Sequence, residues 1–126
     1  MGYTREFITP QIEVVRVDAA FTVEEAREWA DARLAHVQQI GRDEIYGLLV
    51  DVSAMTRISL QVMMVMVDLV SRAGETRGYI ALTGASRVTN TMAEAVMRMI
   101  PGRLDRFRVF DAYEEALAWI HDVLAG

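Results

Sequence analysis

From about residue 11 onward, short apolar runs alternate with longer amphipathic segments, and Gly or Pro marks several of the joins. Residues 12–17 place β-branched side chains at alternating positions and read as a strand. Residues 3–8 add a short edge strand before Pro10. Thr22-Val23-Glu24-Glu25 spells a capping box, in which Thr22 accepts from a backbone amide and Glu25 reaches back. The helix it opens runs to about Ile40, with Val23, Ala26, Ala30, Leu34, Val37 and Ile40 as its buried stripe, and Gly41 ends it. Residues 45–52 form a nearly continuous apolar run, as a central strand covered on both faces requires. A second helix spans about residues 59–73 and stops at Gly74. Residues 78–83 give another strand. Residues 87–100 give a third helix, with Val88, Met92, Ala95, Val96 and Met99 inward and Pro101-Gly102 breaking it. A last strand covers 106–110. Asp111-Ala112-Tyr113-Glu114 then reads as a second capping box, opening a helix with Tyr113, Ala116, Leu117, Ile120 and Leu124 inward.

Strands that alternate with helices of this length predict an α/β fold: a mostly parallel sheet of four or five strands flanked by four helices. Residues 1–126 form one domain of this kind, with no internal repeat or linker. Any ligand is expected at the C-terminal ends of the strands.

The second helix departs from an ordinary amphipathic pattern. Ile58, Leu60, Val62, Met63, Met64, Val65, Met66, Val67, Leu69 and Val70 leave one narrow polar stripe of Gln61, Asp68 and Arg72. A helix that only covers a sheet needs one apolar face. The second face here has three destinations: further core, a subunit or partner interface, or an apolar ligand pocket. Methionine suits the last two because its side chain adapts its shape. Leu60, Met63, Met64 and Val67 are the interface candidates.

Composition narrows the chemistry. Hydrophobic residues make up 52% of the chain, enough for a core without staples, and there is no cysteine for disulfides, thiol catalysis or thiolate metal sites. The formal net charge is −5 and every basic residue is Arg. That balance argues against nucleic-acid binding, and the lack of Lys removes Schiff-base chemistry and lysine-dependent phosphate loops. The N-terminal residues are polar rather than signal-like, and the longest apolar run, 62–67, is too short to span a bilayer. A cytoplasmic location is expected.

No Ser-His-Asp arrangement, nucleophile elbow or metal-binding His pair is visible; His36 and His121 stand apart, and both are expected at the surface. No cofactor and no catalytic residue are expected. Thr83-Gly84-Ala85-Ser86-Arg87 ends a strand and opens a helix, where free amides, the helix dipole and the Arg87 guanidinium can hold an anion. In the simpler alternative, Ser86 caps the helix and Gly84 allows the turn. Asp51 and Ser53 end the central strand; Asp51 is either a base or the acceptor of an Asx turn. Arg98, Arg103, Arg106 and Arg108 crowd the last loop, as a patch for an acidic partner or as a solvated edge.

Gly47-Leu48-Leu49-Val50-Asp51-Val52-Ser53, followed by an apolar helix, resembles the anti-anti-sigma (STAS) fold. The second half resembles the SpoIIAA-like group, itself similar to STAS and to CRAL-TRIO lipid-binding folds. Tyr79-Ile80-Ala81-Leu82-Thr83-Gly84-Ala85-Ser86, Arg108-Val109-Phe110-Asp111 and Glu114-Glu115-Ala116-Leu117-Ala118-Trp119-Ile120 carry that resemblance. It implies a non-enzymatic module that meets a protein partner or a second copy of itself, as a homodimer, through helix 2 and the strand-end loops. The CRAL-TRIO likeness implies an alternative, a small apolar or lipid-like ligand held beside helix 2. One departure stands out. Phosphorylated STAS domains carry Asp-Ser-Ser-Gly before this helix, and the aligned segment here is Ser59-Leu60-Gln61-Val62. Leu60 occupies the acceptor position and cannot take phosphate; Ser59 lies one residue away.

Overall fold

The computed structural model describes residues 2–41, 44–55, 58–73, 78–100 and 104–126. They form a mixed, mostly parallel five-stranded sheet with four helices. The order is β1 (Tyr3–Thr9), β2 (Ile12–Asp18), α1 (Val23–Gln39), β3 (Tyr46–Ala54), α2 (Leu60–Ala73), β4 (Gly78–Thr83), α3 (Arg87–Arg98), β5 (Phe107–Phe110) and α4 (Tyr113–Ala125), with a 3-10 turn at Leu104–Arg106. The strands lie side by side in chain order; β1 is antiparallel to β2 and every other pairing is parallel. The edge strand expected before Pro10 is therefore β1, a hairpin partner of β2.

The strand period assigns side chains to the two faces. Val15, Val17, Leu48, Val50, Val52, Leu82 and Phe107 enter one core with Trp29 of α1, Leu69 of α2 and Met97 of α3. Ile12, Val14, Leu49 and Ala81 enter the other with Ala116 and Ile120 of α4. Gly47 exists because α4 comes so close: a Cβ there would lie 2.6 Å from a methyl of Ile120.

The capping box at α1 forms as spelled. Glu25 N–H donates to Thr22 Oγ1 at 3.1 Å, and Thr22 N–H donates to Glu25 Oε1 at 3.1 Å. Two other expectations need correction. First, α4 has Ala112 at its N-cap with no side-chain hydrogen bond, so the second capping box does not form. The helix starts one residue later than that box requires, and alanine carries no acceptor. Second, α3 is turned so that Thr89, Ala93 and Met97 face inward, while Val88, Met92 and Met99 are exposed. Both rows have helical spacing, and the apolar one was the wrong guide. Ser86 fixes the phase by accepting from Thr89 N–H at 3.2 Å and donating to Thr89 Oγ1 at 3.0 Å, which turns Thr89 inward. Strand β2 is covered along most of its length: Ile12, Glu13, Val14 and Val15 are all buried. Gly74, Pro101 and Gly102, expected as helix stops, lie outside the described residues.

The deepest polar cluster was not anticipated. Glu13 is fully buried. It accepts from Arg5 Nε (2.8 Å) and Nη2 (3.0 Å), from Trp29 Nε1 (2.8 Å), and from Arg33 Nη1 (3.1 Å). Arg33 is buried too, with its guanidinium over the Tyr46 ring. α1 thus buries Trp29 and Arg33 together with Ala26, Ala30 and Val37. Burial pulls the Arg33 guanidinium below its ordinary value, against the attraction of Glu13.

Tyr3 shows a smaller electrostatic effect. Its hydroxyl donates to Glu28 Oε1 at 2.6 Å. That bond first, then burial, pushes its pKa from 10.0 up to about 12. The folded-state pKa is raised, so this contribution to stability is complete below the ordinary value and is lost as pH rises toward about 12. In an ultraviolet absorbance titration of the folded protein, one tyrosine is expected to ionise near 12. Tyr3→Phe should remove that step. A titration unchanged by Tyr3→Phe would show that the bond to Glu28 does not hold the proton.

Candidate functional site

The C-terminal ends of β3 and β4 and the starts of α2 and α3 bring most of the candidate residues to one end of the sheet. Asp51 and Ser53 sit on β3. Asp51 Oδ1 accepts from Ser53 N–H at 3.0 Å and from Ser53 Oγ at 2.7 Å, an Asx turn closed by the hydroxyl. Its other oxygen, Oδ2, is 3.8 Å from Arg16 Nε on β2. Arg16 also donates to Glu6 Oε1 at 3.0 Å and lies over the Tyr113 ring of α4. Both oxygens of Asp51 are therefore engaged, one by its own turn and one by a neighbouring cation, which is a poor setting for a general base.

Gly84 follows β4 with φ +81°, in the left-handed region. A Cβ there would lie 2.5 Å from Cβ of Ser53 and 2.6 Å from its Cα. The two strand ends press together at this point, and Ser53 and Gly84 form one continuous rim. Ser86 is the N-cap of α3, as described, and Arg87 beside it is exposed. Ser59 plays the matching part at α2. Its Oγ accepts from Val62 N–H at 3.1 Å and its carbonyl accepts from Met63 N–H at 3.1 Å. The two serines are thus engaged as helix caps, each with an exposed residue after it: Leu60 and Arg87.

The four apolar candidates on α2 divide by phase. Leu60 and Met64 are 65% and 62% exposed, so both have surface to offer a partner. They stand four residues apart, on one face of the first two turns. Met63 is buried and Val67 half-buried, and both line a partly open apolar cavity of about 130 Å³ between the helices and the sheet. Helix α2 therefore has two apolar faces with different surroundings, protein on one side and open surface on the other.

The remaining candidates stay apart from this end. His36 donates Nε2–H to the Pro10 carbonyl at 2.9 Å and packs on Phe7, half-buried, whereas His121 is exposed. Arg98 and Arg108 are exposed, with Arg108 lying over the Phe110 ring; Arg106 has a buried Nε without an acceptor among the described residues, and Arg103 is outside them. Among the described residues, no group of His, Cys, Asp and Glu could hold a metal ion, and no helix is long and apolar enough to cross a membrane.

Comparison with known proteins agrees with this architecture. The SpoIIAA-like family profile matches residues 12–121. RsbS from Moorella thermoacetica, solved as a glutamate variant, superposes with a TM-score of 0.67 at 14% identity, covering 94% of each chain. The protein TM1081, solved by NMR, gives 0.61 at 14% identity over 93% of this chain and 86% of that one. An anti-sigma-factor antagonist (STAS) domain protein from Planctomyces limnophilus gives 0.59 at 18% identity over 94% and 97%. At these identities the likeness is one of fold. No curated protein matches the chain.

Proposed function

This chain belongs to the SpoIIAA-like family, and on that footing we propose that it is a non-enzymatic regulatory module that works by protein contact. Its contact surface is the start of α2, with Leu60 and Met64, together with the rim of Ser53, Ser59, Gly84, Ser86 and Arg87. The partner is a protein, either a second copy of the chain in a homodimer or another polypeptide. Phosphate at the usual serine position has no part in this reading, because the aligned residue, Leu60, has no hydroxyl.

The observation that carries this reading is the exposure of Leu60 and Met64. Burying one such side chain against a partner contributes about 1.5–3 kcal/mol. Two of them beside a polar rim have the make-up of an interface centre and its edge. Met64→Glu would place a charge in that centre. Sedimentation velocity and native mass spectrometry on the wild type are expected to show a complex. Met64→Glu or Leu60→Glu should weaken it at least about 100-fold, with an unchanged circular dichroism spectrum. A wild type that is monomeric at tens of micromolar, and whose co-purifying proteins are the same with and without Met64→Glu, would refute the proposal.

A second reading rests on a different observation. The cavity of about 130 Å³ under α2 is comparable to the roughly 150 Å³ apolar cavities known to admit a small hydrocarbon. On this reading the module carries an apolar ligand on the inner face of α2, while the outer face stays free for a partner.

A further inference from the structure

We infer that the cavity under α2 selects an uncharged, ring-sized apolar molecule and rejects both fatty acids and phospholipids. This rests on the second reading above and narrows it to a chemical class.

Volume sets the size. About 130 Å³ accommodates a single aromatic or alicyclic ring with one small substituent, and leaves most of a long acyl chain outside. The wall sets the polarity. Leu48, Leu82, Met63, Met66, Met97 and Phe107 are representative of it, contributed by the sheet and by α2 and α3. Methionine thioethers adapt to a ring and make favourable sulfur–aromatic contacts, and Phe107 adds an aromatic face.

Charge sets the exclusion. Among the described residues, Arg33 is the one charged side chain on this wall. It is already paired: its Nη1 lies 3.1 Å from Glu13 Oε1, and Glu13 is fully buried. Arg5, the second cation on Glu13, is one-quarter exposed and can keep its hydration. An incoming carboxylate would have to leave water and then compete with Glu13 for a partner that is already taken. Burying an ion without a dedicated partner is strongly unfavourable. A neutral ring meets no such cost.

The test uses the full chain with methionine methyl groups labelled for NMR, and three probes: toluene, benzoate and palmitate. Toluene is expected to shift the methyl signals of Met63, Met66 and Met97, and benzoate to bind at least about 50-fold more weakly. Palmitate should leave those signals in place. Ala93→Leu projects extra carbons from α3 into the cavity and should weaken toluene binding at least about 10-fold. Val50→Leu does the same from the sheet and serves if Ala93→Leu does not fold. Toluene binding undiminished in a folded filling variant would overturn the assignment of the site. Binding of palmitate or benzoate in preference to toluene would overturn the ligand class but leave the carrier reading standing. Unmoved methyl signals with all three probes would overturn both.

Discussion

Glu13→Leu is expected to destabilise the fold by about 3–5 kcal/mol, because it leaves the Arg33 guanidinium buried without its counter-ion. For a domain of this size the loss corresponds to a fall in Tm of roughly 10–20 °C, a large share of an ordinary stability of about 5–15 kcal/mol. The same reasoning predicts recovery in the double variant Glu13→Leu/Arg33→Met. Removing both charges together often costs little, since neither is then stranded. Arg5 is partly exposed and can turn to water in either background. The pair also predicts a pH dependence. Burial raises the pKa of Glu13. The bonds from Arg5 and Trp29 and the charge of Arg33 outweigh it, and the carboxyl lies below its ordinary 4.5. Because the folded-state pKa is lowered, this contribution is complete above the ordinary value and is lost as pH falls through the folded one. Urea midpoints measured from neutral pH down to about pH 3 should therefore drop more steeply for wild type than for the double variant. If Glu13→Leu alone unfolds at the wild-type temperature, the cluster does not hold the hairpin to α1.

Gly84→Ala is the second large effect, expected at about 2–4 kcal/mol. The cause is twofold. The φ of +81° is strained for any residue with a Cβ, and the new atom would meet backbone and Cβ of Ser53 at 2.5–2.7 Å. Ser53 cannot give way without opening the Asx turn with Asp51. The substitution should thus lower Tm and also loosen the rim, seen as faster amide exchange at Ser53. Gly41→Ala is the control: its nearest neighbour is the side chain of Glu44 at 3.3 Å, which can move, so little change is expected. Equal stability for Gly84→Ala and Gly41→Ala would show that the two strand ends do not need their close approach.

The fold was legible because its signals are local. Apolar runs, the Thr22–Glu25 box and the alternation of strand and helix lengths all lie within a few residues of one another, and the five strands and four helices follow them. The Asx turn at Asp51 and the left-handed Gly84 were readable for the same reason. What could not be read depends on distant partners. Glu13 and Arg33 are polar letters that look like solvent-facing positions, and only the meeting of β2 with α1, 20 residues on, makes them a buried pair. The one hint was a lone Glu between Ile12 and Val14 in an apolar strand. Helix α3 was misphased because Thr89, its inward anchor, is a polar letter, while Val88, Met92 and Met99 offered a more apolar row that faces outward. The contact of Ser53 with Gly84 joins two strands 31 positions apart and leaves no trace in either segment.

The two faces of the sheet are covered on different schedules. As synthesis proceeds from the N-terminus, each new strand can add to the side of the one before it, because spatial order follows chain order. One face gains its helices progressively, α1 first, then α2 and α3. The other, with Ile12, Val14, Leu49 and Ala81, receives α4, the last element of the domain. Until that helix leaves the ribosome, a nearly complete sheet presents an uncovered apolar side, the kind of surface on which nascent chains aggregate or chaperones act. The arrival of α4 thus also marks when that side of the sheet is closed to such contacts.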